Sequence, residues 1–436
     1  MIDSSVAQPG RDVSDLYKKI TRNQAVKQLG PGLITGAADD DPSGIATYSQ
    51  AGAQFGYGLL WTIVLTYPLM VAIQLVAARL GRVTGHGLAA NIRTRFPRAL
   101  LFFIIGLLLL ANIINIAADI AAMGDAARLL IGGAENQYTA LIGLACLTLQ
   151  IFMSYKRYVT YLKWLTLSLL SYVAIAFFVH VPWAQVLHEL VAPSIVFNRE
   201  TIMVIVAVFG TTISPYLFFW QAAQEVEEIR NTPGATALTA MTSQEAEPHL
   251  SRINLDTMIG MAFSNLVAFF IIVSTAATLH AHGITDIETS AQAAEALRPL
   301  GGDFTFMLFG LGIVGTGLLA VPVLAGSAAY AVAECFEWRA GLNLELLEAR
   351  EFYGLIALAT LGGVVINFVG ISPIKALLYS ALLNGIIAVP IMVVMMLLAS
   401  QPEVMGRYTI SLRLRICGWL ATLVMGAAVV GLFVTS

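Results

Sequence analysis

Charge is what this chain has least of. Lys, Arg, Asp and Glu make up only 12% of its 436 residues, against about 25% in soluble domains. Polar segments long enough to fold alone are missing as well. The longest interruptions between apolar runs, 227–253, 280–303 and 335–351, are each too short for a core of their own. There is no basic block, and the net charge is −3 with a pI near 6.1, so nucleic acid is excluded as a partner. Cysteine is scarce: Cys146, Cys335 and Cys417 lie far apart, which makes neither a disulfide framework nor a metal cluster and leaves small buried residues as the reading. No His-rich cluster and no nucleophile beside an acid–base pair occurs, which argues against an enzyme and against a resident cofactor. Residues 1–28 are polar, carry Arg11, Lys18, Lys19, Arg22 and Lys27, and lack an apolar core before a cleavage site. They read as a cytosolic tail, not a cleaved signal.

What is abundant is apolar sequence. Hydrophobic residues are 58% of the chain, with a mean hydropathy of +0.78, and runs of membrane-spanning length recur throughout. Hydropathy and turn residues predict eleven spans near 31–55, 57–79, 100–130, 137–154, 162–182, 201–226, 254–279, 304–334, 352–371, 373–399 and 414–434. With the amino terminus inside, 20 of the 24 Lys and Arg fall on the cytosolic side, only Arg128, Arg199, Arg298 and Lys375 lying elsewhere. The positive-inside rule thus supports both the count and the direction. Residues 83–98 are expected along the cytosolic interface, and 280–303 holds a short outer helix.

Charge, where it does appear, is concentrated. Asp39-Asp40-Asp41 interrupts the apolar, Gly-rich stretch from Gly30 to Gly58. A charged side chain at the centre of a spanning helix costs roughly 2.5–3.5 kcal/mol on insertion scales, so such residues face a cavity, an ion or a partner. Pro42, Ser43 and Gly44 follow at once, a sequence that breaks a helix and frees backbone carbonyls. Carboxylates beside an unwound turn within the membrane outline a cation site. The alternative is a short polar loop between two hairpin helices.

The sixth span carries a comparable break, Gly210-Thr211-Thr212-Ile213-Ser214-Pro215, at its middle. Pro215 lacks the amide that would close a helical bond, and Gly210 favours unwinding. Alone it reads equally well as a proline kink. Five spans separate the two breaks, so a five-span repeat would invert across the membrane, and paired interrupted helices point to a transporter's central site. Spans 1–5 (about 29–182) and 6–10 (about 200–400) would form the repeats, and 413–435 an added span, within one transmembrane domain over 29–436.

Weaker features carry their own alternatives. Gly310-Leu311-Gly312-Ile313-Val314-Gly315 matches a dinucleotide pattern but has no strand before it, so close helix packing is the better reading. His280 and His282 fit a solvated outer loop better than a metal site. Asp119 in span three is a candidate pathway residue, whereas Asp125, nearer the outer end, reads as solvated. Glu225, Glu227 and Glu228 read as a solvated helix end or as an ion exit. Asn384 in span ten is a candidate for closing the central cavity.

The stretch Gly30-Pro31-Gly32, then Asp41-Pro42-Ser43-Gly44-Ile45-Ala46-Thr47, then Gln50-Ala51-Gly52-Ala53 resembles the NRAMP family of divalent-metal transporters. The resemblance covers essentially the whole chain and implies an all-α, leucine-transporter-like fold with an inverted 5+5 repeat plus an eleventh span. It implies that Asp41 is the metal-binding aspartate. The family's asparagine falls on Gly44, and its Ala-Thr-Val-Met-Pro-His falls on Thr211-Thr212-Ile213-Ser214-Pro215-Tyr216, so the metal-binding methionine is Ser214 here. A thioether is a soft ligand; without it the site is roomier and lined by oxygen, which suits Mg²⁺ and its retained waters. This pattern resembles the NRAMP-related magnesium transporters. The family's sixth-span histidines fall on Tyr216 and Gln221, and the third-span acidic partner of Asp119 on Ala122, none of which titrates near neutral pH.

The expectation is therefore a secondary-type importer of a hard divalent cation, Mg²⁺ and also Mn²⁺, working by alternating access in a lipid bilayer. Asp41, Gly44, Thr211 and Ser214 would line the metal, which is cargo and not a cofactor. Asp39, Asp40, Asp119 and Asn384 would support it. The expected location is the bacterial inner (plasma) membrane, amino terminus cytosolic and carboxy terminus outside, with no obligatory protein partner. The alternatives are a proton-coupled Mn²⁺ or Fe²⁺ importer with a rebuilt site and a sodium-coupled amino-acid or organic-solute carrier.

Overall fold

A computed structural model describes residues 31–133, 135–153, 169–194, 196–232, 234–367 and 372–435. The expected tail, most of the first half of span five and the end of span nine lie outside the described residues.

Helix α1 spans Pro31–Asp39, and Pro42 opens α2 (Pro42–Phe55), with Asp41 capping its first turn. A proline costs nothing at the first helical position, where its missing N–H would be unpaired anyway. The expected span one is thus two half-helices meeting at Asp40-Asp41. Then come α3 (Leu60–Thr84), ended by left-handed Gly85, α4 (Leu88–Arg95), α5 (Arg98–Ile131) and α6 (Glu135–Phe152). Helices α7 (Leu170–Phe178) and α8 (Trp183–Val191) close the first half.

The second half opens with the other broken span. α9 (Arg199–Thr212) stops at Ile213, and α10 (Pro215–Asn231) restarts at Pro215. α11 (Ser243–Thr278) begins well before the expected residue 254, because Thr242 and Glu245 form a reciprocal capping box. The expected 227–253 interruption shrinks accordingly. α12 (Thr305–Phe336), α13 (Arg350–Ile366), α14 (Pro373–Ala399) and α15 (Leu412–Val434) follow. The 280–303 segment does carry a short helix, Ser290–Glu295.

Among the described residues, seven helical runs are long and apolar enough to cross a membrane. Their outer faces present large apolar side chains, including Phe102, Phe103 and Leu110 on α5 and Leu423, Val430 and Phe433 on α15. A soluble protein would bury so much apolar surface; a bilayer leaves it in place.

The repeat is visible in the packing. α1 lies along α11, and α10 lies along α3. The second half of span one, α2, also lies along α11, and exchanging each span for the one five positions away converts that contact into the contact of α10 with α3, as an inverted repeat requires. The contacts of α1 with α11 and of α3 with α10 depend on missing side chains: a β-carbon on Gly36 would meet the Gly260 carbonyl oxygen at 2.3 Å, and one on Gly81 would meet the Ala222 carbonyl oxygen at 2.3 Å. The Gly310 stretch serves the same purpose, since a β-carbon there would sit 2.6 Å from Leu130 on α5.

Basic residues from distant parts of the chain gather at one end of the bundle. There Arg79 donates to Asn254, Arg230 to the Ala340 carbonyl and Arg407 to the Met241 carbonyl, while Arg93 pairs with Glu337 and Arg95 with Glu403. Helix α4 is more deeply placed than an interfacial segment: Leu88 to Ile92 are buried, and the Glu334 carboxylate accepts from the Ala90 amide at 3.1 Å.

Candidate functional site

The two helix breaks face each other at mid-bundle and bring most of the expected residues together. Asp41 is 2% exposed. Its Oδ1 accepts from the Ser43 hydroxyl at 2.6 Å and the Gly44 amide at 2.8 Å, which fixes the carboxylate as the cap of α2. Its Oδ2 points the other way, accepting from Asn115 Nδ2 at 3.0 Å, with the Tyr216 hydroxyl at 3.5 Å.

Gly44 lies against the second break. A β-carbon on it would stand 3.2 Å from Thr211 Oγ1, and that hydroxyl is buried with no hydrogen-bond partner. Ser214 is different, because its hydroxyl donates back to the Gly210 carbonyl at 2.8 Å and lies 2.9 Å from that of Thr211. It caps the end of α9 and keeps only its lone pairs for another group.

Asp39 and Asp40 turn away from Asp41. Ser264 on α11 lies 2.6 Å from Asp39 Oδ2 and 3.1 Å from Asp40 Oδ1, and a hydroxyl has one proton to give. Asp39 Oδ1 and Asp40 Oδ2 find no hydrogen-bond partner. The three aspartates therefore do not converge, and among the described residues no group of three or more His, Cys, Asp or Glu side chains is placed to hold a metal ion.

Asp119 and Asn384 are near Asp41 through an intermediary. Asn115 Nδ2 lies 3.5 Å from Asp119 Oδ2, and Asn384 Nδ2 lies 3.4 Å from Asn115 Oδ1. Asp119 Oδ1 and Asn384 Oδ1 are buried without partners. Asn115 was not among the expected site residues, although its spacing from Asp119 puts the two on one helix face. Ser264 was not expected either. Tyr216 donates to the Ala38 carbonyl at 3.1 Å, and the Thr35 hydroxyl lies 2.5 Å from Gln221 Oε1. Both contacts tie α10 to α1.

Three expectations about charge are corrected. Asp125 is not solvated; it is 4% exposed and pairs with Arg128 at 2.5 Å, which offsets its burial. Glu225 and Glu227 do not form a solvated helix end. Glu225 is fully buried and bound to Arg252 at 2.6 Å, with Glu228 at 3.2 Å from the same guanidinium. Glu227 accepts from the Tyr330 hydroxyl at 2.8 Å and from Asn343 at 2.9 Å. His280 and His282 do sit at an exposed turn, their Nδ1 atoms 2.8 Å and 2.5 Å from the backbone carbonyls of Ala53 and Thr278.

The family model described as natural resistance-associated macrophage protein-like, Nramp, matches residues 32–435. The divalent metal cation transporter MntH of Yersinia enterocolitica is 32% identical over 324 residues, covering 72% of this chain and 75% of the relative. MntH of Klebsiella pneumoniae is 27% identical over 418 residues, covering 94% of each. A manganese transporter of Eremococcus coleocola superposes with a TM-score of 0.73 at 18% identity, covering 97% of this chain and 87% of the other. Mhp1, a nucleobase-cation-symport-1 family transporter in a closed conformation, superposes at 0.60 and 13% identity, covering 93% and 92%. These two likenesses show the leucine-transporter-like fold. From the family model and the relatives together, this chain belongs to the Nramp family of integral membrane transporters.

Proposed function

We propose that the protein is a secondary-type importer of divalent metal cations that works by alternating access, prefers Mg²⁺ and also passes Mn²⁺. The observation that carries the reading is the setting of Asp41: a buried carboxylate at a double helix break whose polar neighbours, Ser43, Gly44, Asn115 and Tyr216, offer only oxygen and nitrogen. Sulfur is missing where the family places it, since Ser214 stands at that position. Hard cations bind oxygen, and Mg²⁺ keeps much of its water shell. The relatives are named as divalent metal cation or manganese transporters, which supports a transporter rather than an enzyme or an organic-solute carrier.

In this reading Asp41 ligates the ion, and the Gly44 and Thr211 backbone, with the Thr211 and Ser214 oxygens, meets the ion or its waters. Asp39 and Asp40 supply negative potential from behind, Asp119 lines the path and Asn384 closes the cavity. Residues 29–436 act as one transmembrane domain in the bacterial inner membrane. The basic end of the bundle and the tail 1–28 are cytosolic, and the carboxy terminus lies outside. The test is uptake into proteoliposomes across Mg²⁺, Mn²⁺ and Fe²⁺ with internal pH recorded. Saturable Mg²⁺ uptake supports the reading, and uptake of Mn²⁺ and Fe²⁺ alone, with acidification, favours a proton-coupled transition-metal importer.

A further inference from the structure

Asn115 is fully buried at the centre of the polar cluster. Asp41 has only Oδ2 to offer an ion, because Oδ1 is committed to Ser43 and Gly44. Two donors now face Oδ2, Asn115 Nδ2 at 3.0 Å and the Tyr216 hydroxyl at 3.5 Å. Their protons occupy the place where positive charge would bind, so at least one donor must leave. Tyr216 already has a nearer acceptor in the Ala38 carbonyl at 3.1 Å.

The Asn115 amide has an alternative of its own. Its Oδ1 faces Asn384 Nδ2 at 3.4 Å, while Asn384 Oδ1 is buried with no donor. The terminal torsion of asparagine is broad and nearly two-fold. A paired half-turn of the two amides keeps their volumes, lets Asn115 Nδ2 donate to Asn384 Oδ1, and turns Asn115 Oδ1 toward Asp41. Two oxygens facing each other repel when the site is empty and attract a cation placed between them. With Nδ2 toward Asp41 the amide suits the carboxylate when no cation is bound; turned, it suits a bound cation.

We infer that Asn115 is a cation ligand and selectivity residue, its amide nitrogen holding Asp41 in the empty site and its oxygen replacing that contact when a hard divalent cation binds. The inference rests on the Asp41 reading above. An amide oxygen is a hard, neutral ligand suited to Mg²⁺. The resembling family carries an amide at the position of Gly44; here one comes to the same carboxylate from α5 instead.

The test uses the full chain in proteoliposomes and compares Asn115→Asp with Asn115→Leu for Mg²⁺ uptake, with Asp41→Ala alongside. Asn115→Leu removes the oxygen and should raise KM by about 10-fold or more, the range seen when metal-site support is lost. Asn115→Asp keeps an oxygen and removes the N–H, so KM should stay equal or fall. A residue serving only as a donor to Asp41 gives a different result, since both variants lose the N–H alike and Asn115→Asp would then share the raised KM of Asn115→Leu. An unchanged KM in Asn115→Leu, or a raised KM in Asn115→Asp, overturns the inference. If Asn115→Leu does not fold, Asn115→Asp against the parent decides alone. Normal uptake by Asp41→Ala would instead overturn the site reading itself.

Discussion

Gly36 and Gly260 meet backbone to backbone, so closely that a β-carbon on Gly36 would lie 2.3 Å from the Gly260 carbonyl oxygen. This contact sets how near α1 lies to α11, and hence where Asp39, Asp40 and Ser264 meet. Gly36→Val should lower stability, overpacking of this kind costing about 1–3 kcal/mol. Gly106, around which nothing lies within 4 Å of an added β-carbon, is the control. Thermal unfolding of the detergent-solubilised protein should show a lower midpoint for Gly36→Val and no loss for Gly106→Ala. Equal midpoints would mean that the two helices can separate freely.

The buried Arg252 cluster gives a second test. Glu225 is fully buried against Arg252, which also pairs with Glu228. Removing one member of a buried pair typically costs about 3–5 kcal/mol, because the other charge is left unpaired, whereas apolar replacement of both is often tolerated. Arg252→Ala should therefore melt well below the parent, and Arg252→Met combined with Glu225→Leu should recover most of the loss. A double variant no better than the single one would show that Arg252 acts through other partners.

Ion preference should move with the two family positions that differ here. Ser214→Met adds a soft sulfur and releases the carbonyls of Gly210 and Thr211 that the serine now caps. Gly44→Asn presses on Thr211 Oγ1, 3.2 Å from the new β-carbon, and narrows the space a hydrated ion needs. Competition uptake in the double variant should shift from Mg²⁺ toward Mn²⁺ or Fe²⁺. An unchanged ratio with transport intact would remove selectivity from these positions.

Much of this architecture was legible in the chain. Pro42 and Pro215 marked both helix breaks, and Arg79, Arg93, Arg95, Arg230 and Arg407, among the basic residues expected on one side, lie at one end of the bundle. The start of α11 is hidden from hydropathy because Ser243, Gln244 and Glu245 lower it, although Thr242 and Glu245 carry a capping-box signature. Asn115 carries no signal of its own in the sequence, because an intramembrane carboxylate such as Asp119, its neighbour on the same face, stands out by charge and a neutral amide does not. Ser264 could not be read at all, since its meeting with Asp39 spans 225 positions and depends on how α1 packs against α11. The pairing of Glu225 with Arg252 bridges two helices in the same way, so a helix end that looked solvated proved to be closed.

Metal uptake should not require proton coupling by the family route. The family resemblance sets Tyr216 and Gln221 where titratable groups would stand, and both are engaged in contacts that hold α10 to α1. Neither side chain titrates near neutral pH. Internal pH recorded during Mg²⁺ or Mn²⁺ uptake, with membrane potential clamped, should show no acidification tied to metal influx in the parent or in Asp119→Asn. An acid signal lost in Asp119→Asn would place a proton path through α5, and one that persists there would place it through the aspartate cluster.

The most direct measurement is Mg²⁺ uptake by the parent protein and by Asp41→Ala in proteoliposomes, at equal reconstituted amounts of monodisperse protein. With Asp41 removed, the cap of α2 loses its contacts to Ser43 and Gly44, worth about 0.5–2 kcal/mol, so the variant should still insert and fold. The account predicts saturable Mg²⁺ uptake by the parent and none above background by Asp41→Ala. Uptake by a folded Asp41→Ala protein at the parent's rate would contradict it.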